Sequence, residues 1–269
     1  MKVFVIDIAL CNGCHCCQIS CKDEHVANDW SPYAKPQPDT GQFWIKQNEF
    51  VRGTVPKVKV HYLPILCMHC DEAPCMASCP VEGAIHKRDD GLVIIDPAKC
   101  TGCKNCEDAC TYRVIYFNEH LNIAQKCTGC AHLLDSGWKE PRCADACPTL
   151  ALKFGEESEM KNLIRKAEVL HPEYKAKPRV YYLNIPKKFI AGTVYDPLEK
   201  EVIIGATCTL TDTKSQKQYT ATTNGFGDFW FEGLEVGNFN LKIAKGKKTK
   251  AFRMLHTEKD INLGDIPLT

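Results

Sequence analysis

The sequence predicts an α+β protein in two parts: a cysteine-rich, metal-binding region over residues 1–188 and an all-β domain over residues 189–269. Seventeen of the 18 cysteines lie between Cys11 and Cys147, in four tight groups. Beyond residue 188 only one cysteine remains, and short apolar stretches alternate with turn residues. A chain of 269 residues, 44% of them hydrophobic, is large enough for two domains with separate cores.

Charge and hydropathy exclude several classes of function. A formal net charge of +1 argues against a nucleic-acid-binding protein, which carries a strongly basic face. No apolar run approaches the roughly 20 residues of a membrane span, so we expect no direct membrane insertion. The first residues lack the small-residue cleavage pattern of a secretory signal. We therefore expect a cytoplasmic protein.

The four cysteine groups have spacings typical of metal ligation. Groups one and three follow the C-x2-C-x2-C-x3-C run of bacterial ferredoxins. Disulfides are disfavoured, because cysteines at these spacings compete for the same neighbours. The pattern predicts iron–sulfur clusters, with iron as the metal. The four groups, in chain order, are Cys11, Cys14, Cys17 and Cys21; Cys67, Cys70, Cys75 and Cys79; Cys100, Cys103, Cys106 and Cys110; and Cys127, Cys130, Cys143 and Cys147.

Zinc is the alternative metal at one of the groups. The spacing of group four, taken alone, also suits a four-thiolate zinc site. Three evenly spaced thiolates, as in groups one and three, suit the corners of a cube better than one tetrahedral ion. The two remaining cysteines, Cys16 and Cys208, are expected to be unligated, and Cys208 lies in an alternating segment typical of a core strand.

The segment between groups two and three predicts a β-hairpin. A short strand over residues 84–87 and an apolar strand over 92–95 flank an Asp-Gly turn. This resembles the middle of a bacterial two-cluster ferredoxin, so groups two and three pair as an inner unit over about residues 64–123. Groups one and four then pair across it as an outer unit. We expect this unit to begin with a strand over residues 3–10 and to end with a strand over residues 151–154. The predicted fold is two interleaved ferredoxin-like two-cluster units.

The four groups together resemble a known family. Their order, the four-residue gap in group two, the twelve-residue gap in group four and the K-C-x-G-C run at Lys126 resemble the iron–sulfur subunit of the dimethyl sulfoxide reductase family of molybdopterin enzymes. The resemblance covers about residues 1–185. It implies an electron-transfer subunit with four [4Fe–4S] clusters, or three if one site is unfilled. It also implies a heterodimer with a large catalytic subunit, which alone carries molybdopterin, and no active site on this chain.

The resemblance further implies which cysteines share each cluster. Three ligands come from one group and the fourth from its partner group, and cluster 1 lies nearest the catalytic subunit. The implied sets are Cys11, Cys14, Cys17 and Cys147 for cluster 1; Cys67, Cys70, Cys75 and Cys110 for cluster 2; Cys79, Cys100, Cys103 and Cys106 for cluster 3; and Cys21, Cys127, Cys130 and Cys143 for cluster 4.

The C-terminal region predicts seven antiparallel strands. That many short strands in about 80 residues are typical of an antiparallel sandwich or small barrel. The run from Gly192 to Leu234 resembles transthyretin-like and collagen-adhesin-B-type modules, and the resemblance extends over residues 189–269. We find no catalytic motif in this region. The predicted strands are 190–195, 202–211, 218–223, 229–234, 239–244, 249–255 and 260–263.

Three functions compete. The chain has no Gly-rich phosphate loop, no H-E-x-x-H and no nucleophile motif, which favours a non-catalytic electron-transfer subunit. The appended β-domain narrows the resemblance to a soluble anaerobic transhydroxylase of the family, whose large subunit moves a hydroxyl group between polyhydroxybenzenes. The alternatives are the electron-transfer subunit of a respiratory molybdopterin reductase or dehydrogenase, and a free-standing polyferredoxin carrier.

Overall fold

The computed structural model describes residues 1–269 and divides into two units. Unit 1 contains Met1–Phe50 and His61–Ile185, and unit 2 contains Val51–Val60 and Pro186–Thr269. The sequence predicted one boundary, at residue 188. The chain in fact passes between the units three times, because the segment 51–60 belongs with the C-terminal residues.

Unit 1 is built from short helices and strands separated by the cysteine loops. A single 3-10 turn, Pro172–Tyr174, precedes its last strand. In chain order the elements, with the tip of the β2–β3 hairpin (residues 51–60) belonging to unit 2, are β1 (Lys2–Asp7), α1 (Cys16–Val26), β2 (Ile45–Thr54), β3 (Lys57–Leu66), α2 (Pro74–Ala77), β4 (Ile85–Lys87), β5 (Val93–Ile95), α3 (Asn105–Ala109), β6 (Tyr116–Asn118), β7 (Ile123–Gln125), α4 (Ala131–Asp135), α5 (Arg142–Asp145), β8 (Leu152–Glu156), α6 (Glu157–Ile164) and β9 (Val180–Leu183).

A three-stranded sheet joins the two ends of unit 1. Its strand order is β8-β1-β9, with β1 antiparallel to β8 and parallel to β9. Strand β1 is the central strand of this sheet and is buried, which explains why its residues from Val3 to Ile6 are all apolar. The sequence predicts a longer strand, which extends to residue 10. Strand β1 ends at Asp7 because the Asp7 carboxylate accepts the N–H of Ala9 at 3.1 Å and starts a turn.

Three two-stranded hairpins complete the strands of unit 1: β2–β3, β4–β5 and β6–β7. The β4–β5 hairpin pairs Ile85 with Ile95 around the predicted Asp-Gly turn, where Gly91 has φ +91°. Helix α1 packs against α5, and α2 packs against α3. The first pair joins cysteine groups one and four, and the second joins groups two and three.

Unit 2 is a mostly β region with one hydrophobic core. One sheet contains β11-β10-β14 with β17 also on β10, and the other has the order β13-β12-β15-β16. Side chains from both sheets, such as Val194 and Leu241, share the core. The strands are β10 (Lys188–Asp196), β11 (Glu201–Val202), β12 (Thr207–Asp212), β13 (Gln218–Thr222), β14 (Asp228–Leu234), β15 (Asn238–Lys245), β16 (Lys248–His256) and β17 (Ile261–Pro267).

A ferredoxin-like region followed by a mostly β region is therefore confirmed, with two corrections to the seven antiparallel strands. The predicted strand 202–211 is two strands, because the chain turns at Gly205, where φ is +72°. The last strand, β17, runs parallel to β10, because the chain crosses from one sheet to the other after β16. In neither unit does a helix have the length and apolar character needed to cross a membrane.

Candidate metal centres

Sixteen cysteine side chains gather into four sets of four. Three of these sets each line a pocket of their own, and none of the cysteines forms a disulfide. Each set takes three cysteines from one sequence group and one from another, in the combinations that the family resemblance implies. The three pockets define site 1 (Cys11, Cys14, Cys17, Cys147), site 2 (Cys67, Cys70, Cys75, Cys110) and site 3 (Cys79, Cys100, Cys103, Cys106).

The fourth set, site 4, consists of Cys21, Cys127, Cys130 and Cys143, all buried. Burial raises the pKa of Cys127 and Cys130 to about 12 and holds the pKa of Cys21 and Cys143 well above the ordinary value. After burial, the main cause at Cys21 and Cys143 is the neighbouring thiols of the same site. Four thiols whose negative charges would repel one another, gathered in one buried place, fit a positively charged metal group.

Helix α1 shows how the sequence places ligands on one side of an element. Cys17, Cys21 and His25 follow one another at intervals of four residues, and all three are buried on the same face. Cys17 lies in site 1 and Cys21 in site 4, so this helix joins the two sites. Helix α5 makes the return connection, because its Cys143 lies in site 4 and Cys147 just beyond it lies in site 1.

In three of the four groups a glycine precedes the second cysteine and lets the loop curl there, whereas in group two His69 takes this place with φ +45°. Gly102 and Gly129 both have left-handed backbone angles, φ +73° and +64°. A Cβ on Gly102 would lie 2.6 Å from the Asn122 carbonyl oxygen, and one on Gly129 would lie 2.8 Å from the Leu92 side chain. Only glycine fits these positions, which explains the C-x-G-C pattern of the sequence.

Neighbouring sites are close enough for their thiols to influence one another. The pKa of the Cys143 thiol in site 4 is raised by burial and, more weakly, by Cys17 of site 1. Burial and then Cys67 of site 2 raise that of Cys127 in site 4. In site 3, Cys106 is affected in the same way by Cys75 of site 2. The sites thus follow one another in the series 1, 4, 2, 3.

Backbone N–H groups point at several of the sulfur atoms. Gly129 N–H donates to Cys127 Sγ at 3.3 Å, and Ala124 N–H donates to Cys100 Sγ at 3.4 Å. At Cys147, burial would raise the thiol pKa, but backbone N–H groups and the Thr149 hydroxyl outweigh it and lower the pKa. Such donors stabilise a sulfur that carries negative charge.

His25 is a neighbour of site 4 that the sequence interpretation did not single out. Its Nε2 lies 3.9 Å from Cys130 Sγ, and its ring packs on Trp44 at a centroid distance of 4.5 Å. Burial, and then His132, lower the His25 pKa to about 3, so the ring is neutral and can donate one N–H. The four-residue spacing from Cys21 was the available signal for this placement.

Site 1 reaches the surface, and apolar side chains surround it there. Cys14 is exposed. Leu10, Ile19 and Leu150 are 45%, 62% and 66% exposed, and each lies within three residues of a site 1 cysteine. Exposed apolar side chains of this size near one site are a feature of protein–protein interfaces.

Comparison with known proteins gives two family matches. Residues 58–157 match the 4Fe–4S dicluster domain, and residues 190–269 match the carboxypeptidase regulatory-like domain. The first match covers three of the four cysteine groups, apart from the one at the N-terminus. The expectation of iron–sulfur clusters as cofactors is confirmed, whereas their number is not addressed by this match.

Three relatives illustrate the similarity. The chain is 38% identical to the pyrogallol hydroxytransferase small subunit of Pelobacter acidigallici, and the alignment covers 98% of each chain. It is 34% identical to a sulfite dehydrogenase subunit of Allochromatium vinosum, over 66% of this chain and 81% of that one. Identity to the arsenate respiratory reductase iron–sulfur subunit of a Shewanella species is 33%, over 67% and 94%.

The three alignments differ in how much of this chain they cover. The second and third alignments cover about two thirds of this chain, whereas the first also includes the β-domain. Together with the dicluster match, they confirm the family that the cysteine spacing indicated. The chain belongs to the family of electron-transferring iron–sulfur subunits of molybdopterin oxidoreductases.

Proposed function

We propose that this chain is the electron-transfer subunit of a soluble anaerobic molybdopterin enzyme, a pyrogallol hydroxytransferase. Transfer of the hydroxyl group between polyhydroxybenzenes would take place on the large subunit, which alone would carry molybdopterin. The observation that supports this proposal is the similarity to the pyrogallol hydroxytransferase small subunit over 98% of both chains, β-domain included.

Each of the four sites is proposed to hold one [4Fe–4S] cluster, ligated by the four cysteines that define the site. The donor set fits, because every site offers four reduced thiols, the number that such a cluster requires. Bound clusters accept and release single electrons. The protein contributes burial, fixed ligand positions and the N–H donors at Cys127 and Cys100, which stabilise negative charge on sulfur.

The large subunit is proposed to dock over site 1, in a heterodimer. The exposed Leu10, Ile19 and Leu150 beside Cys14 provide the apolar contact that such an interface needs. Docking there would exclude water from the most exposed cysteine of site 1 and bring the first member of the series next to the catalytic subunit.

The electron-transfer subunit of a respiratory reductase or dehydrogenase is the second candidate. Its support is the match of about two thirds of the chain to the arsenate respiratory reductase and sulfite dehydrogenase subunits. Those matches leave about a third of the chain unaccounted for, whereas the hydroxytransferase alignment covers 98% of it and so includes the β-domain.

The test is anaerobic purification of the chain from its own cells with whatever it binds. We expect a heterodimer containing molybdenum and about sixteen iron atoms, with hydroxyl transfer among polyhydroxybenzenes that needs no external electron donor. We also expect it in the soluble cytoplasmic fraction. Recovery with a membrane anchor and net reduction or oxidation of a substrate would instead support the respiratory subunit. Elution as a single chain that still transfers electrons would indicate a free polyferredoxin.

A further inference from the structure

Lys126 is the one buried lysine or arginine that has no carboxylate partner. It is only 2% exposed, and its Nζ donates to the carbonyl oxygens of Val93 and of Cys127, the latter at 3.2 Å. The other buried lysine and the buried arginine, Lys57 and Arg179, both form ion pairs with carboxylates. Lys126 therefore differs from them in what compensates its charge.

Two carbonyl groups satisfy hydrogen bonds of an ammonium group but leave its charge uncompensated. Removing such a charge from water is costly unless an opposite charge lies close by. The burial of Lys126 therefore requires a negative charge that the carboxylates of this chain do not supply.

The surroundings of Lys126 show where that negative charge would lie. Lys126 immediately precedes Cys127 of site 4 in the chain. The carbonyl oxygen of Val93, which accepts from Lys126 Nζ, belongs to a residue that lines the pocket of site 2 together with its four cysteines. The ammonium group of Lys126 therefore lies beside site 2, and its second hydrogen bond is to the backbone of Cys127 in site 4.

We propose that Lys126 is the built-in counter-charge of the cluster at site 2, and that it raises the reduction potential of that cluster. The inference rests on the proposed function, because it takes a [4Fe–4S] cluster at site 2 as given. A four-thiolate cluster gains one negative charge when it accepts an electron, so a nearby buried cation stabilises the reduced form more than the oxidised form. Since site 2 is an inner member of the series, a transferred electron would rest away from both ends.

The test is a redox titration of the full-length chain, purified anaerobically and followed by electron paramagnetic resonance. In Lys126→Met, we expect the equilibrium constant for reduction of one cluster to fall at least tenfold, a 59 mV shift of its midpoint potential. Lys126→Arg keeps the charge and should change no equilibrium constant by more than threefold. The control is Lys104→Gln, which removes an exposed lysine beside Cys103 of site 3 that pairs with Glu119 at 2.9 Å. It should also stay within threefold.

The outcomes separate this inference from the proposed function. Wild-type protein that contains no iron–sulfur cluster would overturn both. Four clusters whose equilibria all stay within threefold in Lys126→Met would overturn the counter-charge alone. Lys126→Gln provides a second neutral variant that still offers a donor to the Cys127 carbonyl. Loss of one cluster in both neutral variants but not in Lys126→Arg would support the counter-charge, whereas its loss in Lys126→Arg as well would contradict it.

Discussion

Cys16 and Cys17 are neighbours in the chain with different surroundings. Cys17 is buried and lines the cavity of site 1, whereas Cys16 is partly exposed and lies beside Cys14 without lining that cavity. Successive residues at the start of a helix point about 100° apart, so only one of the two can face a given site. The register of the first cysteine group depends on which of them does.

We expect Cys16→Ser to keep the full iron content, and Cys17→Ser to lose about four of about sixteen iron atoms or to degrade one cluster. The measurement is iron and sulfide analysis of anaerobically purified variants, with Cys16→Ser as the matched control. The opposite result would shift the register of the first group by one residue and remove its match to site 1.

A methyl group at Gly102 is expected to disturb the site 3 loop. Gly102→Ala must hold a left-handed backbone angle and also bring its Cβ to 2.6 Å from the Asn122 carbonyl oxygen. We expect a loss of about 2–3 kcal/mol in the free energy of unfolding, with faster loss of cluster absorbance. Gly41→Ala is the control, since its φ of +66° is similar but nothing lies within 4 Å of its Cβ. It should lose only about 1 kcal/mol.

Single residues also show what the sequence could and could not predict about the site. The spacing of the cysteines predicted the groups, because a loop that binds one cluster is a local structure. The spacing could not reveal that Trp44 packs on His25, or that Lys126 is buried. Those facts depend on which distant segments cover the loop, and a single sequence does not record such contacts.

At the scale of elements, the β2–β3 hairpin serves both units. Near its base, Gln47 and Pro64 line site 1, and Gln47 lies 3.8 Å from Cys11 Sγ. Its tip, residues 51–60, belongs to unit 2, where Arg52 pairs with Asp260 through two contacts of 2.8 and 2.6 Å. Nothing in the sequence indicates that this tip pairs with residues some 200 positions later.

Breaking this buried ion pair should destabilise unit 2. The Arg52 and Asp260 side chains are 14% and 7% exposed, and removal of one buried partner typically costs about 3–5 kcal/mol. We expect Asp260→Asn to lower the thermal unfolding midpoint by the equivalent amount at neutral pH. Lys59→Gln, which breaks an exposed pair with Glu232 on the same hairpin, should cost less than about 1 kcal/mol.

The effect of Asp260→Asn should also depend on pH. Burial alone would raise the pKa of Asp260, but the Arg52 guanidinium and the Phe189 N–H outweigh it and lower the pKa. A lowered folded-state pKa contributes stability above the unfolded value, near 4, and that stability is lost as the pH falls through the folded value. The difference in melting temperature should therefore be constant at neutral pH and shrink below about pH 4. A difference that persists unchanged into acid would contradict the ion-pair explanation.

At the scale of the whole molecule, sixteen of the eighteen cysteines lie in sites within unit 1, and unit 2 contains only the buried core thiol Cys208. The sequence predicted this division from composition, because ligand cysteines end at residue 147. It did not predict that unit 2 is discontinuous, since the ion pairs that hold residues 51–60 there join distant parts of the chain.

Truncation after residue 185 should show which properties of unit 1 depend on the C-terminal residues of unit 2. We expect the iron content to remain at about sixteen atoms, because no ligand is removed. The hairpin tip loses the carboxylates of Asp228, Glu232 and Asp260, so trypsin should cut it at its basic residues, whereas it should remain intact in the full-length chain. Loss of all cluster absorbance on truncation would show that unit 1 does not stand without the β-domain.

The sheet β8-β1-β9 joins segments that are far apart in the chain, so the parts of unit 1 can form only in a certain order during synthesis. Strand β1 is made first but finds its partners only when residues 152–183 have been synthesised. All eight cysteines of sites 2 and 3 have been synthesised by residue 110, whereas sites 1 and 4 wait for residues up to 147. Delivery of iron and sulfide would thus fill the middle of the chain before its ends. A released fragment of residues 1–126 should accept two clusters and no more.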